Sequence, residues 1–387
     1  MNLLTESRFP RVIGGPAGSG TRLVLCSFVV ATACLAMAKE ASADWAFERG
    51  DGAAAGVAST PLPAKPQELW RFQADESGFE ATAVIADGKV YVGDFDGTFY
   101  ALHLADGSLV WKKKFQDSGF LSAAAIVDGR VYVGDYNGVV RCLSAENGDE
   151  LWTYQARGEV YAGPNVVAGR VLVTTEAGEL LSLDPQSGNV QWRFEIEAPL
   201  RCWPTTVEGR VLLAGCDSRL HAVDLETGKE IDGVDLESQT GATPARWGDS
   251  VFFGTVSGTF YRIRGTEIRW EYRDEDRLQQ IFSAAVDRRA VIYGNKDKRV
   301  YALDPKSGKL QWEFPVRTAV ESAPVIVGEV VFFGTKRGRL YALDVATGME
   351  RWQFDAGGGF VASPAASDGR LVVGNTDGKL YCFGKKE

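Results

Sequence analysis

A repeated sequence unit constrains the fold of this chain more than any other feature. The stretch 90–111, VYVGDFDGTFYALHLADGSLVW, recurs with changes to the C-terminus, for example as VFFGTKRGRLYALDVATGMERW at 331–352. One slot, filled by the glycine of VYVG in the first unit, is spaced by 41 residues once and by 40 six times, at Gly93, Gly134, Thr174, Ala214, Gly254, Gly294, Gly334 and Gly374. A repeat of this period predicts a closed or stacked array of identical units.

Each unit contains four short apolar runs separated by turn residues. In the first unit these runs are Thr82–Ile85, Lys89–Val92, Thr98–Leu102 and Leu109–Phe115. Asp87 and Gly88 form the kind of pair that favours a two-residue hairpin, since both positions need a positive φ. Four antiparallel strands in about 40 residues are typical of a β-propeller blade. The sequence therefore predicts an all-β fold with eight four-stranded blades.

The two ends of the repeat array complement each other. The last unit, at 371–383, stops before its fourth strand, whereas residues 68–72, ELWRF, read as a fourth strand with no blade before it. We expect the N-terminal strand to complete the C-terminal blade, so that one propeller domain spans 67–387. Seven tryptophans hold the same fourth-strand position and are expected to anchor the packing: Trp70, Trp111, Trp152, Trp192, Trp270, Trp312 and Trp352.

The N-terminus indicates an export signal. Arg22 precedes 16 uncharged residues, which is fewer than the about 20 that a membrane-spanning helix needs. Small residues at Ala41 to Ala43 fit a signal peptidase site, so residues 1–43 are interpreted as a cleaved signal peptide, with an uncleaved membrane anchor as the alternative. Residues 44–66 are rich in Ala, Gly and Pro and are interpreted as a linker or a segment laid over the surface. Within it, Trp45 and Phe47 are expected to bury their rings against the main body.

Charge and cysteine content exclude some functions. The formal net charge is −9, which argues against binding nucleic acid through a general basic surface. Six cysteines occur, with no C-x-x-C pair. If Val207 faces Arg210 across a hairpin, Cys202 comes within about one residue of pairing with Cys216, and a disulfide there is feasible in an oxidising compartment.

The consensus V-Y-x-G-x-x-x-G-x-x-Y-A-L-D-x-x-T/S-G-x-x-x-W, best seen at 291–312 and 330–352, resembles the PQQ-type propeller repeat and covers residues 68–384. The lead-in D-W-x-x-x-R-G-D at 44–51 resembles that of bacterial secreted members. The resemblance implies two branches. One comprises quinoprotein alcohol dehydrogenases, which hold pyrroloquinoline quinone and Ca²⁺ in the propeller. The other is the non-enzymatic scaffold type of the outer-membrane assembly factor BamB.

Candidate catalytic groups are scarce. Only two histidines occur, and both His103 and His221 fill ordinary repeat positions, so we assign neither to catalysis. For the quinoprotein branch, the resemblance implies an adjacent Cys-Cys pair and long inserted loops. This sequence contains neither feature. We therefore predict no catalytic residue, no cofactor site and no metal site.

Candidate partner-binding residues come from positions where the blades differ. Counting along the innermost strands places one residue per blade near the channel mouth: Glu80, Leu121, Tyr161, Arg201, Gly241, Ile281, Glu321 and Val361. The second turns carry acids in blades 1 and 2, at Asp94, Asp96 and Asp135, but bases in blades 6 and 7, at Lys296, Lys298, Lys336 and Arg337. A face that is acidic on one side and basic on the other would orient a partner. Two irregularities, Asp232 at a tryptophan position and the polar loop 273–280, are further candidates.

These features together predict a periplasmic or secreted, monomeric propeller. Its expected role is a non-catalytic scaffold that binds a protein or peptide in the cell envelope, with outer-membrane protein assembly as one setting. Two alternatives stay open at this point. One is a quinoprotein oxidoreductase, and the other is a carbohydrate or small-ligand sensor that uses the channel mouth.

Overall fold

A computed structural model describes residues 44–75, 77–274 and 280–386. In these ranges the chain forms 33 β-strands and no helix, which confirms the all-β prediction. The predicted signal peptide at 1–43 lies outside the described residues. Within the part described, the structure contains no helix long and apolar enough to cross a membrane.

The strands divide into eight blades, preceded by two N-terminal strands, β1 (Val57–Ala58) and β2 (Gln67–Gln73). Blades 1 and 2 comprise β3 (Val84–Ala86), β4 (Lys89–Gly93), β5 (Thr98–His103), β6 (Leu109–Lys114), β7 (Ala125–Val127), β8 (Arg130–Gly134), β9 (Val139–Ser144) and β10 (Glu150–Gln155). Blades 3 and 4 comprise β11 (Asn165–Val167), β12 (Arg170–Thr174), β13 (Glu179–Leu183), β14 (Val190–Glu195), β15 (Thr205–Val207), β16 (Arg210–Ala214), β17 (Arg219–Asp224) and β18 (Glu230–Asp235).

Blades 5 to 8 continue the same order. Blades 5 and 6 comprise β19 (Ala245–Trp247), β20 (Ser250–Gly254), β21 (Thr259–Arg264), β22 (Glu267–Arg273), β23 (Ala285–Val286), β24 (Val291–Gly294), β25 (Arg299–Leu303) and β26 (Leu310–Pro315). Blades 7 and 8 comprise β27 (Val325–Val327), β28 (Val330–Gly334), β29 (Arg339–Asp344), β30 (Glu350–Asp355), β31 (Ala365–Ser367), β32 (Arg370–Gly374) and β33 (Lys379–Gly384).

Local turn chemistry sets the antiparallel pairing inside each blade. Asp87 and Gly88 have φ of +49° and +68°, the left-handed pair expected for a two-residue hairpin. This turn places Ala86 opposite Lys89 and thereby sets the register of β3 and β4. The second and third strands of a blade are buried along nearly their whole length because neighbouring blades cover both of their faces.

The N-terminal strand closes the ring, as predicted. β2 pairs antiparallel with β33 and supplies the fourth strand of blade 8. Trp70 lies opposite Cys382, and Phe72 lies opposite Leu380. The last blade is therefore built from both ends of the repeat array, so that neither end leaves an incomplete sheet.

Fourth-strand tryptophans link six of the eight blades to the blade that follows. A register shift beside the tryptophan position occurs in all eight fourth strands and is the mark of a β-bulge. Six of the seven indole N–H groups donate to a carbonyl in the third turn of the following blade, at 2.8–3.2 Å for Trp70, Trp111, Trp152, Trp192, Trp270 and Trp312. The same indoles lie against a glycine of that turn, where a Cβ would come within 2.5–2.7 Å of the ring.

Of the two interpretations of the segment before the propeller, residues 44–58 follow the second, because they lie against the main body, on the inner strands of the blades. Trp45 is 1% exposed and forms an antiparallel bridge with Ile85 in the first strand of blade 1. Further along, Ala53, Ala55 and Gly56 accept backbone hydrogen bonds from first-strand residues of blades 5, 6 and 7. β1 then pairs parallel with β27 as a fifth strand of blade 7. The segment lies on the inner strands because their inward edges have no other pairing partner.

The tryptophan contacts predict a large stability effect. Replacing Trp312, which is 8% exposed, by Ala removes a buried indole and leaves a cavity between blades 6 and 7. We expect a loss of about 3–5 kcal/mol in the free energy of unfolding, measured by urea denaturation. Leu310→Ala on the same strand is the control, since Leu310 is 43% exposed and should change the value by less than about 0.5 kcal/mol. Equal losses in the two variants would contradict the assigned role of the indole.

Candidate functional site

One face of the disc consists of the second turns and of the loops that connect successive blades. We call this the upper face. Each second turn donates one backbone hydrogen bond to the preceding connecting loop, as Phe95 N does to Gly78 O at 3.0 Å. Each also accepts one from the following loop, as Asp94 O does from Phe120 N at 3.0 Å. Both bonds recur in all eight blades, so the backbone of the upper face is a continuous hydrogen-bonded platform.

Most of the predicted mouth residues lie on this face and reach solvent. Glu80, Tyr161 and Arg201 are exposed. The other mouth residues that reach solvent are half-buried: Leu121, Gly241, Glu321 and Val361. Ile281 was placed wrongly, since it is 4% exposed and packs against Gly254, as Val320 packs against Gly294. The buried position that Ile281 shares with Val320 is followed by one residue fewer before the first strand in blade 6 than in blade 7. This deletion moves Phe282 to the mouth.

An ion pair and an aromatic ring meet at the mouth beside blades 3 and 4. The Arg201 guanidinium donates to both carboxylate oxygens of Glu176, with 2.6 Å between Nε and Oε2. The same guanidinium lies 5.6 Å from the centre of the Tyr161 ring. The hydrogen bonds to Glu176 raise the pKa of Arg201, so its charge is retained throughout the accessible pH range. The pair therefore holds the half-exposed Tyr161 ring in a defined position.

A concave pocket of ≈ 370 Å³ adjoins this group on the upper face. Its wall includes Arg201, Cys216, Val256, Ile281 and Phe282. Val256 is 46% exposed, which makes the pocket rim partly apolar. The irregular loop predicted at 273–280 borders this region, but its residues 275–279 lie outside the described ranges.

An exposed aromatic pair extends the apolar surface toward blades 1 and 2. Phe95 is 45% exposed, and its ring centre lies 6.0 Å from that of Tyr136. Both residues occupy the second position of their second turn. The same position is filled by Glu176 in blade 3 and by Lys336 in blade 7. An aromatic residue at this position in both blade 1 and blade 2 is a signal that is visible in the sequence.

Burial removes Asp94 and Asp135 from the acidic side of the predicted charge asymmetry, whereas Asp96 is exposed. Asp94 and Asp135 are 1% and 0% exposed, and each carboxylate accepts backbone N–H groups of its own turn at 2.8–3.1 Å. Asp135 also accepts from the Ser118 hydroxyl at 2.7 Å and pairs with Arg141 at 3.2 Å. These carboxylates stabilise the turns from inside and offer no charge to a partner.

The basic side of the asymmetry is present at the surface. Lys296, Lys336 and Arg337 are exposed, and Lys336 lies 3.4 Å from the predicted mouth residue Glu321. Arg337 also lines a smaller pocket of ≈ 190 Å³ together with Arg317. The upper face is therefore basic near blades 6 and 7 and apolar to aromatic near blades 1 and 2.

The feasible disulfide is not formed. Val207 does face Arg210, but the pairing of β15 ends at Thr205, so the register does not continue to Cys202. The four described cysteines are free, and burial raises the pKa of the Cys202 thiol to about 12. The Cys216 sulfur instead lies 3.6 Å from the carbonyl oxygen of Thr240.

His221 is more constrained than its repeat position indicated. Nε2 lies 2.9 Å from a carboxylate oxygen of Asp217, and Nδ1 lies 2.9 Å from one of Glu230. The ring is 4% exposed and packs against Phe194, so the group is a buried polar contact within blade 4. Tyr100 makes the corresponding contact to Asp94 in blade 1. Across the described residues, no group of three His, Cys, Asp or Glu side chains is arranged to hold a metal ion.

Comparison with known proteins identifies relatives of this architecture. A family model described as outer membrane protein assembly factor BamB matches residues 62–201, 117–314 and 296–387. No curated protein matches the chain. BamB from Moraxella catarrhalis superimposes with a TM-score of 0.71 at 19% identity, covering 83% of this chain and 98% of that one.

Two other solved structures are similar to the same degree. The computationally designed Ika8 protein gives a TM-score of 0.72 at 18% identity and covers 82% of this chain and 100% of its own. Quinohemoprotein alcohol dehydrogenase from Comamonas testosteroni gives 0.73 at 18% identity and covers 89% of this chain and 81% of its own. At such identities the likeness to these structures shows the fold alone.

The quinone cofactor of the dehydrogenase branch does not fit the centre of this propeller. The centre is filled by the chain itself, where the buried Arg49 donates to Ala284 O at 2.9 Å and to Pro324 O at 2.7 Å. Glu48 lies beside it and accepts from Gly163 N at 2.6 Å. A quinone held there would require these contacts with blades 3, 6 and 7 to break.

The buried turn carboxylates are expected to stabilise the fold and not to bind a partner, and a stability measurement tests this role. Asp135→Ala should lower the free energy of unfolding by about 3 kcal/mol, since the Ser118 hydroxyl and the N–H groups of Asn137 and Val139 would lose their buried, charged acceptor. Asp96→Ala, in the corresponding turn of blade 1, is the control, because Asp96 is exposed and should change stability by less than about 0.5 kcal/mol. Urea denaturation measures both, and an unchanged stability of Asp135→Ala would contradict the assigned turn role.

Proposed function

This chain belongs to the family of the outer membrane protein assembly factor BamB, and from that premise we propose that it is a monomeric, non-catalytic scaffold that binds a protein partner in the cell envelope. The partner chemistry follows from the upper face. It is an extended or loop segment with apolar side chains, and outer-membrane protein assembly is the setting that the family description supports. Envelope location agrees with the predicted export signal.

The observation that carries this proposal is the set of exposed apolar side chains around the mouth. Phe95, Tyr161 and Val256 are between 40% and 46% exposed, and they lie on a face whose turns and loops are joined by two backbone hydrogen bonds per blade. Aromatic side chains exposed at a fixed position are enriched at protein interfaces, where they supply contact area at low entropic cost. The half-buried Leu121 and Phe282 extend the same surface.

Because the upper face is rigid, a partner can bind to it without a change in its conformation. The turns and loops of the upper face are connected by two backbone hydrogen bonds per blade, so a partner does not have to order them. The Arg201 side chain is held in advance by Glu176 and stacks on Tyr161. The basic sector at Lys296, Lys336 and Arg337 would orient a partner that carries acidic residues on one side.

Site-specific photocrosslinking tests the proposal. A photoreactive benzoylphenylalanine introduced at Phe95, Tyr161 or Val256 should give a discrete adduct with a component of the outer-membrane assembly machinery in cells that make the protein. Met349 is the control, because it is 67% exposed but lies in a third turn, on the opposite face. Adducts are identified by mass spectrometry.

Two outcomes would contradict the proposal. One is the absence of a specific adduct from all three upper-face positions, or the same adducts from Met349. The other is enzymatic turnover when the purified protein is supplied with pyrroloquinoline quinone, Ca²⁺, an alcohol and an electron-accepting dye. The second result would instead favour the quinoprotein interpretation.

A further inference from the structure

Blade 4 lacks the tryptophan that links every other blade to its neighbour or to its own sheet. Asp232 lies opposite Ala222, which is the place that Trp111 takes opposite Ala101 in blade 1 and Trp312 takes opposite Ala302 in blade 6. The Asp232 side chain is exposed, and within the described part of the chain its one hydrogen bond is accepted from the adjacent Gly233 N. No indole therefore extends from blade 4 toward blade 5.

The receiving turn in blade 5 is altered as well. It is two residues shorter than in the other blades and contains Gly265, whose φ is +58°. A Cβ on Gly265 would meet no atom within 4 Å, whereas a Cβ on the glycines that receive an indole would meet the ring at 2.5–2.7 Å. Both halves of the contact between blades 4 and 5 are thus missing.

A cavity of ≈ 340 Å³ lies at this place, between the two blades and on the side opposite the upper face. Its apolar wall contains Leu212, Ala222, Val251 and Ile263. Leu212 holds the strand position of Tyr91, which contacts Trp111 in blade 1 at a ring-centre distance of 6.1 Å. The cavity therefore retains the apolar wall that faces an indole in the other blades.

The rim of the cavity is charged and contains one cation without an ion pair. Arg264 pairs with Asp249 at 2.8 Å, and Arg269 pairs with Glu267 at 2.6 Å. Arg210 is exposed at the rim and has no carboxylate partner among the described residues. Arg130 and Arg170, at the same strand position in blades 2 and 3, do reach the third turn of the next blade. The shortened turn in blade 5 leaves Arg210 without that contact.

We propose that this cavity binds the indole of a tryptophan from a partner protein, with a carboxylate adjacent to that tryptophan pairing with Arg210. The inference rests on the proposed scaffold function and adds to it a second docking point, distinct from the mouth. An indole is the occupant because the same wall packs against one elsewhere in the ring, and because rim guanidinium groups stack on indole faces. A volume of this size lies at the lower end of the about 300–1,000 Å³ that ligand sites span.

N-acetyl-tryptophan tests the proposal because it combines an indole with a carboxylate. The readout is the methyl NMR spectrum of the full chain labelled at Ile and Val, in which the signals of Ile263 and Val251 should shift on titration. N-acetyl-tryptophanamide, which lacks the carboxylate, should bind about tenfold more weakly, in line with the loss of one charge-assisted contact. N-acetyl-leucine should leave both signals unchanged.

Two variants separate the cavity from the rest of the surface. Asp232→Trp supplies the missing indole from within the chain and should abolish the shifts, while Lys229→Trp adds an exposed indole on the preceding turn and should retain them. Arg210→Gln should remove the difference between the acid and the amide. The Arg210→Gln variant therefore tests the proposal even if Asp232→Trp does not fold.

The proposal is overturned if N-acetyl-tryptophan leaves Ile263 and Val251 unshifted, or if Asp232→Trp folds and binds it unchanged. It is overturned equally if Arg210→Gln retains the preference for the acid. These results leave photocrosslinking at the upper face unaffected, so the failure of this inference and the failure of the scaffold proposal are distinguishable.

Discussion

Closure of the ring is the constraint on which the remaining structure depends. A single blade covers neither of its faces, so its central strands are buried only when a neighbour packs on each side. β2 completes blade 8 by pairing with β33 and thereby joins the two ends of the repeat array. The segment 44–58 adds a second connection, since it contacts the inner strands of blades 1, 5, 6 and 7 before β2 begins.

Contacts between blades follow one rule at six of the eight interfaces, and the two departures are at blades 7 and 8, where the chain ends meet, and at blades 4 and 5. Six indoles each donate to a carbonyl and pack on a glycine of the next blade, which combines a buried aromatic surface with a satisfied N–H group. Between blades 4 and 5 both partners of this contact are changed, and a cavity results. In a ring of near-identical units, a local departure of this kind creates a site without any inserted domain.

The fold by itself does not separate the functions that propellers perform. A designed protein, an assembly factor and an alcohol dehydrogenase all superimpose on this chain with similar scores. What distinguishes this molecule is local. Its centre is filled by Arg49 and the surrounding segment, its upper face exposes aromatic and aliphatic side chains, and basic residues are concentrated beside blades 6 and 7.

The sequence by itself determined the number of blades, the strand order, the ring closure and the tryptophan positions, because these depend on a period of about 40 residues and on turn chemistry. It also located most of the mouth, including Tyr161 and Arg201. Only the tertiary structure decided which turn carboxylates are buried, because burial of Asp135 depends on Ser118 and Arg141 folding over it. The tertiary structure also decided the place of Ile281, because a one-residue deletion displaces it and the equal spacing of the repeats conceals that deletion. It likewise decided the place of 44–58, because the partners of this segment are strand edges formed by blades that are distant in sequence.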